Sequence, residues 1–183
     1  MEEDIQIRKS QRNQVYELMM TGLMAALVMA ATSFFRIPVV ATNGYIHLGD
    51  AMVFLSVMIL GRKNGTIAGA SGSALADLLG GYVHWAPWTF IIMGVLAFIC
   101  GTILLAGKDK GENASIVRQA LAMLAGSVFM MAGYFICQRF MYGTWAAPLA
   151  ALPGNVIQSS AGIVIAEILS AALKRTAPGM LRN

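Results

Sequence analysis

The chain has 183 residues and a formal charge of +4, with 57% hydrophobic and only 12% charged residues, about half the charged share of a soluble domain. Its mean hydropathy is +0.66, and its apolar residues come in long, nearly uncharged runs, which excludes an ordinary soluble domain and places most of the chain inside a bilayer. The pI of 9.3 does not mark a nucleic-acid binder, because the basic residues are spread over separate loops without a dense patch or interleaved aromatics.

Residues 1–14 are polar and charged and read as a cytoplasmic N-terminal tail. A first span is predicted from about Val15 to Phe35 and a second from about Leu48 to Leu60. The third runs from about Thr66 to Leu79, the fourth from about Pro87 to Ala106. The fifth covers about Ile116 to Tyr142 and the sixth about Val156 to Leu173. Residues 15–175 then form one six-helix domain, and residues 176–183 a second cytoplasmic tail. Spans two and three are short for a hydrocarbon core of about 30 Å at about 1.5 Å per residue. They are joined by Gly61-Arg62-Lys63-Asn64-Gly65, a turn, and read as two short helices. The predicted fold is therefore an all-α integral membrane protein of six transmembrane helices.

Orientation follows from the basic residues of the loops. Arg8, Lys9, Arg12, Arg62, Lys63, Lys108, Lys110, Arg118, Lys174, Arg175 and Arg182 fall on one side of this topology, and only Arg36 and Arg139 on the other. The basic side is cytoplasmic, so both termini lie inside. The first span is too long for a signal-peptide core and has no small-residue cleavage site. Cys100 and Cys137 lie at depths differing by about 12 Å at 1.5 Å per residue, too far apart for a disulfide.

No G-x-x-x-x-G-K-[ST] loop, metal-ligand spacing or G-x-G-x-x-G motif is present, so neither a cofactor nor a metal is expected. Any energetic work must draw on another subunit. Gly69-Ala70-Ser71-Gly72 spells G-x-S-G, as in intramembrane serine proteases of the rhomboid type. A serine nucleophile needs a base within reach, and both histidines, His47 and His84, sit at the opposite membrane edge. Gly65, Gly69 and Ser73, like Gly72, Ala76 and Gly80, recur every four residues, which suits close helix packing. Gly22, Ala26 and Ala30 form a similar flat stripe on the first span. The pattern fits internal packing and the docking of a second membrane protein equally well.

The outer edge gathers the remaining chemistry. Asn43, Tyr45 and His47 lie in the first outer loop, His84, Trp85 and Trp88 in the next, and Asn155 and Gln158 at the start of the last span. Tyr134 and Gln138 lie one turn apart on the fifth. Trp and Tyr belt membrane interfaces in general, but the inner side offers only Tyr16. Aromatics, imidazoles and amides on one edge point to a pocket for a planar, polar small molecule. Charges within spans are costly and mostly functional. Asp50 reads as a cap for its own helix, and Asp77 as a cap or a pocket residue, with Arg139 as a partner for one of these carboxylates.

The run Gly44-Tyr45-Ile46-His47-Leu48-Gly49-Asp50-Ala51 resembles the first-loop signature of the substrate-binding S components of energy-coupling factor (ECF) vitamin transporters. Gly72 through Tyr82, then Ala86-Pro87-Trp88-Thr89, and Pro153-Gly154-Asn155-Val156-Ile157-Gln158 are similar to the same family, in its riboflavin and hydroxymethylpyrimidine-like branch. The resemblance implies a multi-pass protein of the bacterial cell membrane that is not an enzyme. It would capture a vitamin or precursor at the outer face, dock through Gly22, Ala26 and Ala30 on a transmembrane coupling protein, and topple when two cytoplasmic ATPases act. The ring set Tyr45, His84, Trp85 and Trp88 suits a small aromatic heterocycle such as a hydroxymethylpyrimidine or a pyridoxine-like compound. Two other classes remain open from the sequence. One is an intramembrane hydrolase using Ser71; the other is a stand-alone secondary carrier, for which the six spans show no convincing internal repeat.

Overall fold

The computed structural model describes residues 1–39, 44–106 and 114–181. Helix α1 spans Glu2–Phe34, so it begins well before the span expected from Val15 and runs through the stretch read as a tail. An antiparallel hairpin follows, β1 (Arg36–Val39) and β2 (Gly44–His47), with Arg36 opposite His47 and Pro38 opposite Tyr45. The all-α expectation missed this hairpin. Its strands are four residues each, below the length at which alternation is legible, though Ile37, Val39, Tyr45 and Ile46 suit extended backbone. Both strands are edges, where Pro38 is tolerated.

Helix α2 is Gly49–Leu79, broken at Gly61 (φ 79°, ψ −179°). The expected second and third spans are its two arms, residues 49–60 and 62–79, which meet at Gly61 without an intervening loop, so the described residues run as five α-helical elements, one of them kinked into two helices. Only Gly61 of the predicted turn leaves the helical conformation. At that residue the chain folds back on itself. A Cβ built on Gly65 would lie 2.6 Å from Val57 Cα, and one on Gly69 would lie 2.8 Å from Val53 Cγ1. In a straight helix these pairs would be about 12 and 24 Å apart. The two arms of α2 therefore lie antiparallel with their backbones in contact, which glycine at positions 65 and 69 permits.

Helix α3 is Ala86–Leu104, opened by Pro87 in its first turn, where a missing N–H costs nothing. Helix α4 is Ile116–Tyr142. Ser115 Oγ caps its start by accepting from the Arg118 N–H, and left-handed Gly143 (φ 66°) ends it. Helix α5 is Ala146–Thr176, beginning ten residues ahead of the expected start at Val156. Pro148 falls in the first turn, where proline is at home, and the helix continues through Pro153. A short 3-10 turn, Pro178–Met180, follows.

Among the described residues, four helical stretches are long and apolar enough to cross a membrane: Gln11–Phe34, Ala86–Leu104, Ile116–Tyr142 and Ala146–Thr176. Helix α2, which carries Arg62 and Lys63, is the most buried element and sits between α1, α3 and α5. Phe54, Met58, Met93, Leu96, Met123 and Met130 fill the main core. Close approaches recur at small residues: Gly72 on the Ala25 carbonyl, Gly126 on the Leu96 carbonyl and Gly162 on Asp50. Leu18, Leu23, Leu27, Phe90, Ile91, Phe98, Leu121, Val128, Val164 and Ile168 point outward. That is an apolar belt suited to lipid rather than water.

The bundle has two unlike ends. At one, Glu17 meets Asn64 at 3.3 Å, Arg62 packs on Gly101, and Ser170 donates to Gln119 Oε1 at 3.3 Å. Arg12, Lys63, Arg118, Lys174 and Arg175 belong to this end by their places on the helices. The hairpin closes the other end. Cys100 and Cys137 are both buried and free. Of the stripe on α1, Gly22 and Ala26 are exposed and Ala30 is half-buried, whereas Met24, Ala25 and Val28 face inward.

Gly65 and Gly22 offer a matched test of this packing. Gly65→Ala drives a methyl into the Val57 backbone and is expected to cost about 1–3 kcal/mol. Gly22→Ala meets nothing within 4 Å and should leave the thermal midpoint in detergent unchanged or slightly raised. Equal loss at both positions would show that the contact between the arms of α2 does not limit stability.

Candidate functional site

The hairpin is tied to the bundle by four polar links. Tyr45, on β2, donates its hydroxyl to Asp77 Oδ1 at 2.5 Å. Asp77 stands near the end of the second arm of α2, so this bond joins β2 to that arm. Arg36, on β1, lays its guanidinium over the Tyr45 ring at 4.2 Å and also meets the Tyr82 ring at 5.4 Å. It donates to the Ala76 carbonyl at 3.1 Å and packs so tightly on Gly80 that no Cβ fits there. The His47 N–H donates to Gln158 Oε1 at 3.0 Å, while Gln158 Nε2 donates to both oxygens of Asp50 at 3.2 and 3.1 Å. Gly49 N–H donates to His47 Nδ1 at 3.0 Å. Ile46 packs on Gly154, where a Cβ would lie 2.6 Å from its Cδ1.

Under the hairpin is a cavity lined by Tyr45, Ile46, His47, Asp77, Trp85 and Thr89, with Tyr134, Gln138, Ala151, Asn155 and Gln158 completing the wall. Its volume, open mouth included, is about 520 Å³, and the room left inside is about that of three to five waters, enough for a compact ligand. The wall mixes aromatic faces with few polar groups, as small-molecule sites do. Trp85 meets Tyr134 edge-on at 5.8 Å, and Tyr134 donates to Thr89 Oγ1 at 3.2 Å.

Burial sets the protonation of the hairpin residues. His47 is fully enclosed, and the loss of hydration, aided by the Arg36 charge, pushes its pKa down to about 4. The ring is neutral near pH 7. Because Nδ1 accepts from Gly49, the proton sits on Nε2. Burial, the Asp77 charge and the bond to Asp77 all push the Tyr45 hydroxyl upward, so it stays a donor.

The structure brings together eight of the eleven residues predicted for the pocket: Tyr45, His47, Asp77, Trp85, Tyr134, Gln138, Asn155 and Gln158. Asn43 lies outside the described residues. His84 is exposed with its ring 5.9 Å from that of Trp85, and Trp88 is 42% exposed; neither lines the cavity. Helical geometry explains this. Thr89 follows Trp85 by four residues and shares its inward face, whereas Trp88 lies on the flank. Thr89 was missed, although its spacing from Trp85 was the available signal. Asp50 does not cap α2; Leu48 is the N-cap residue, and the Asp50 carboxylate is fully buried against Gln158. The cation beside Asp77 is Arg36, not Arg139. Arg139 lies over the Trp145 ring at 5.0 Å, in a separate apolar groove with Phe135, Ile136 and Phe140. Ser71 donates to the Ile67 carbonyl of its own helix at 2.6 Å. Neither histidine pairs with it: His47 Nδ1 accepts from the Gly49 N–H and the His84 ring sits beside Trp85.

The neutral His47 makes hairpin closure pH-dependent. Its pKa in the closed form lies below the usual 6.5, so the closed form holds fewer protons than the open one. Its stabilisation is complete above about pH 6.5 and is lost as pH falls toward 4. Hydrogen-exchange protection factors of the amides of residues 44–47, observed exchange taken against intrinsic exchange at each pH, should therefore fall over that interval, and the fall should vanish in His47→Gln. A flat profile in the parent chain would contradict the buried neutral imidazole.

Comparison with known proteins agrees with this architecture. The family model for the ECF-type riboflavin transporter S component matches residues 12–175. A Pyrococcus woesei protein encoded in the gap 3′ region is 33% identical over 148 residues, covering 81% of this chain and 95% of that protein. The thiamine precursor transporter HmpT of Lactococcus lactis subsp. cremoris is 27% identical over 163 residues, covering 88% and 90%. Among solved structures, an S component for biotin from an ECF-type ABC transporter superposes with a TM-score of 0.66 at 19% identity, covering 91% of this chain and 93% of that one. ThiT from Listeria monocytogenes gives 0.66 at 18% identity, covering 92% and 98%. An apolar helical bundle, a hairpin-covered cavity and a family match over nearly the whole length lead to one assignment: this chain belongs to the ECF-type riboflavin transporter S-component family and is an integral membrane transport component, not an enzyme.

Proposed function

We propose that this chain captures a vitamin or vitamin precursor at the outer face of the cell membrane and delivers it by docking on an ECF coupling protein driven by two ATPases. The observation that carries the reading is the cavity beneath the hairpin, at the end of the bundle opposite Arg12, Arg62, Lys63, Arg118, Lys174 and Arg175. Basic residues favour the cytoplasmic side, so the cavity end faces out. With the two arms of α2 counted as separate short spans, the chain crosses six times and both termini lie in the cytoplasm.

The small usable volume favours a single substituted ring over a fused multi-ring vitamin. A hydroxymethylpyrimidine or a pyridoxine-like heterocycle fits the wall of Tyr45, Trp85 and Tyr134 best. The similarity to HmpT, described as a thiamine precursor transporter, points the same way. Docking is supported by the α1 stripe. Gly22 and Ala26 are exposed, and a Cβ on Gly22 would touch nothing, so this chain leaves the flat face uncovered for another helix.

Substrate capture is tested by titrating the purified chain in detergent with hydroxymethylpyrimidine, pyridoxine, thiamine, riboflavin, biotin, pantothenate and folate while following Trp fluorescence. Trp85 is buried in the cavity wall, so a bound ring should quench it saturably at nanomolar to low micromolar concentration, about −8 kcal/mol or better. No response to any compound, with none co-purifying by mass spectrometry, would refute vitamin capture. For docking, Ala26→Trp with Ala30→Trp is expected to abolish uptake while leaving the binding titration intact. Uptake that survives would remove the stripe from the interface. Uptake by cells expressing this chain without coupling protein and ATPases would favour a stand-alone carrier.

A further inference from the structure

Two buried oxygen acceptors in the cavity wall have no hydrogen-bond donor. They are Asp77 Oδ2 and Gln138 Oε1, from side chains that are 3% and 6% exposed. Both side chains line the cavity. Asp77 stands at the end of the second arm of α2 and Gln138 near the end of α4, so the two belong to different walls. Buried acceptors are nearly always satisfied, and each exception calls for a reason. The Thr89 hydroxyl, which accepts from Tyr134, stands beside Asp77, and Trp85 Nε1 in the same wall is itself buried without a partner; the other neighbouring donors are committed. The Tyr45 hydroxyl is spent on Asp77 Oδ1, and the Tyr134 hydroxyl on Thr89 Oγ1. Arg36 directs its guanidinium to the Ala76 carbonyl and the Tyr45 ring, with its Nε buried and unpartnered. A further donor on the hairpin side is His47 Nε2, which carries the proton because Nδ1 accepts from Gly49.

Resting on the reading of this cavity as the substrate site, we infer that it selects a neutral, amino-bearing heteroaromatic ring, and that Asp77 Oδ2 and Gln138 Oε1 accept hydrogen bonds from that ring's N–H groups. The Arg36 charge beside Asp77 offsets that carboxylate, and Asp50 is covered by Gln158 and does not line the cavity, so neither carboxylate meets the ligand as an unbalanced charge. A carboxylate-bearing vitamin would set a like charge and further acceptors against two acceptors. A ring that carries an oxo group in place of the amine is an N–H lactam: it would face Asp77 with a carbonyl acceptor and could offer its single ring N–H to only one of the two oxygens. A polar site with unpaired groups rejects such an analogue far more strongly than an apolar site rejects a missing methyl. His47 Nε2 supplies the complementary donor for a ring nitrogen or a hydroxyl. Asp77 and Gln138 are then specificity-determining residues, and their role is to read the hydrogen-bonding edge of the ring while the aromatic wall reads its plane.

The test uses a matched pair of probes, 4-amino-5-hydroxymethyl-2-methylpyrimidine and the 4-oxo compound of the same frame, titrated calorimetrically into the purified full chain, with pyridoxine as a third. The amino compound should bind at least about tenfold more tightly than the oxo compound, the effect of one hydrogen bond to a charged group. Asp77→Asn keeps an acceptor for Tyr45 and presents an N–H where Oδ2 stood, so it should shrink or reverse that ratio. Gln138→Leu, on a different helix, should weaken the amino compound without favouring the oxo one. Equal affinity for the amino and oxo compounds in the parent chain would overturn the inference. So would an unchanged ratio in Asp77→Asn, or tight binding of pyridoxine alone. If Asp77→Asn does not fold, the parent-chain ratio and Gln138→Leu still decide. Binding of some other vitamin, with neither pyrimidine bound, would sink the inference and leave vitamin capture standing. The absence of binding by any vitamin would sink the reading of the site itself.

Discussion

The carboxamide of Gln158 holds the functional end of this molecule together. Its oxygen takes the backbone N–H of His47, and its nitrogen gives to the Asp50 carboxylate. One side chain on α5 thereby joins the hairpin to the first turn of α2. The arrangement fixes which way the amide faces, because only the nitrogen can satisfy a carboxylate. Asp50 is fully buried, and among the described residues no cation lies within ion-pair distance of it. Removing the amide would leave an isolated polar group in an apolar bundle, the kind of loss that costs about 1–3 kcal/mol and more for a charged group. Gly162 lets α5 come close enough for this bond, since a Cβ there would strike Asp50.

The same demand for polar satisfaction explains the layout of the whole bundle. Lipid offers no hydrogen bonds, so polar side chains within the hydrocarbon must find one another or line a cavity. Asp50, Asp77, Thr89, Gln138 and Gln158 all gather at one end, under a hairpin that supplies Tyr45 and His47. The outer faces of α1, α3, α4 and α5 are left to Leu, Ile, Val and Phe. Helix α2 makes this partition possible. By reversing at Gly61 and packing its own arms through Gly65 and Gly69, it puts a doubled helix in the centre. Both free ends of that doubled helix, Asp50 and Asp77, then point to the cavity side.

Long apolar runs made the spans legible in the sequence, and the concentration of aromatics, imidazoles and amides at one edge made the cavity legible. Tyr45, Trp85, Tyr134 and Gln158 were found because residue type and depth coincided. What escaped was geometry over short distances. The hairpin is built on four-residue strands. Arg36 was counted as a loop charge, although its position opposite His47 places it over Tyr45. Trp88 was grouped with Trp85 by proximity in sequence, when the helical period favours Thr89. The start of α5 was displaced, since sequence alone does not tell which turn of a helix Pro148 and Pro153 occupy. Gly61 was visible as part of a turn, but nothing in Gly61 through Gly65 told that one residue alone reverses the chain.

On the proposed function the hairpin is a lid over the substrate cavity, and such a lid must satisfy its polar groups when closed and give them up when it opens. The hairpin meets both conditions because its links are few and individually modest. Its anchors to the bundle include one phenol–carboxylate bond, one backbone–amide bond, one guanidinium–carbonyl bond from Arg36 to Ala76, and Ile46 on Gly154. Net contributions of about 0.5–3 kcal/mol for each hydrogen bond leave closure stable yet reversible, and such elements are drawn from the low-stability end of a fold. Three of the four links touch residues that also line the cavity: Tyr45 and Asp77, His47 and Gln158, and Ile46. A ligand that bonds to Asp77 or packs beside Tyr45 therefore acts on the hairpin's own anchors. Occupancy and closure are then coupled through shared side chains, without any longer path through the bundle.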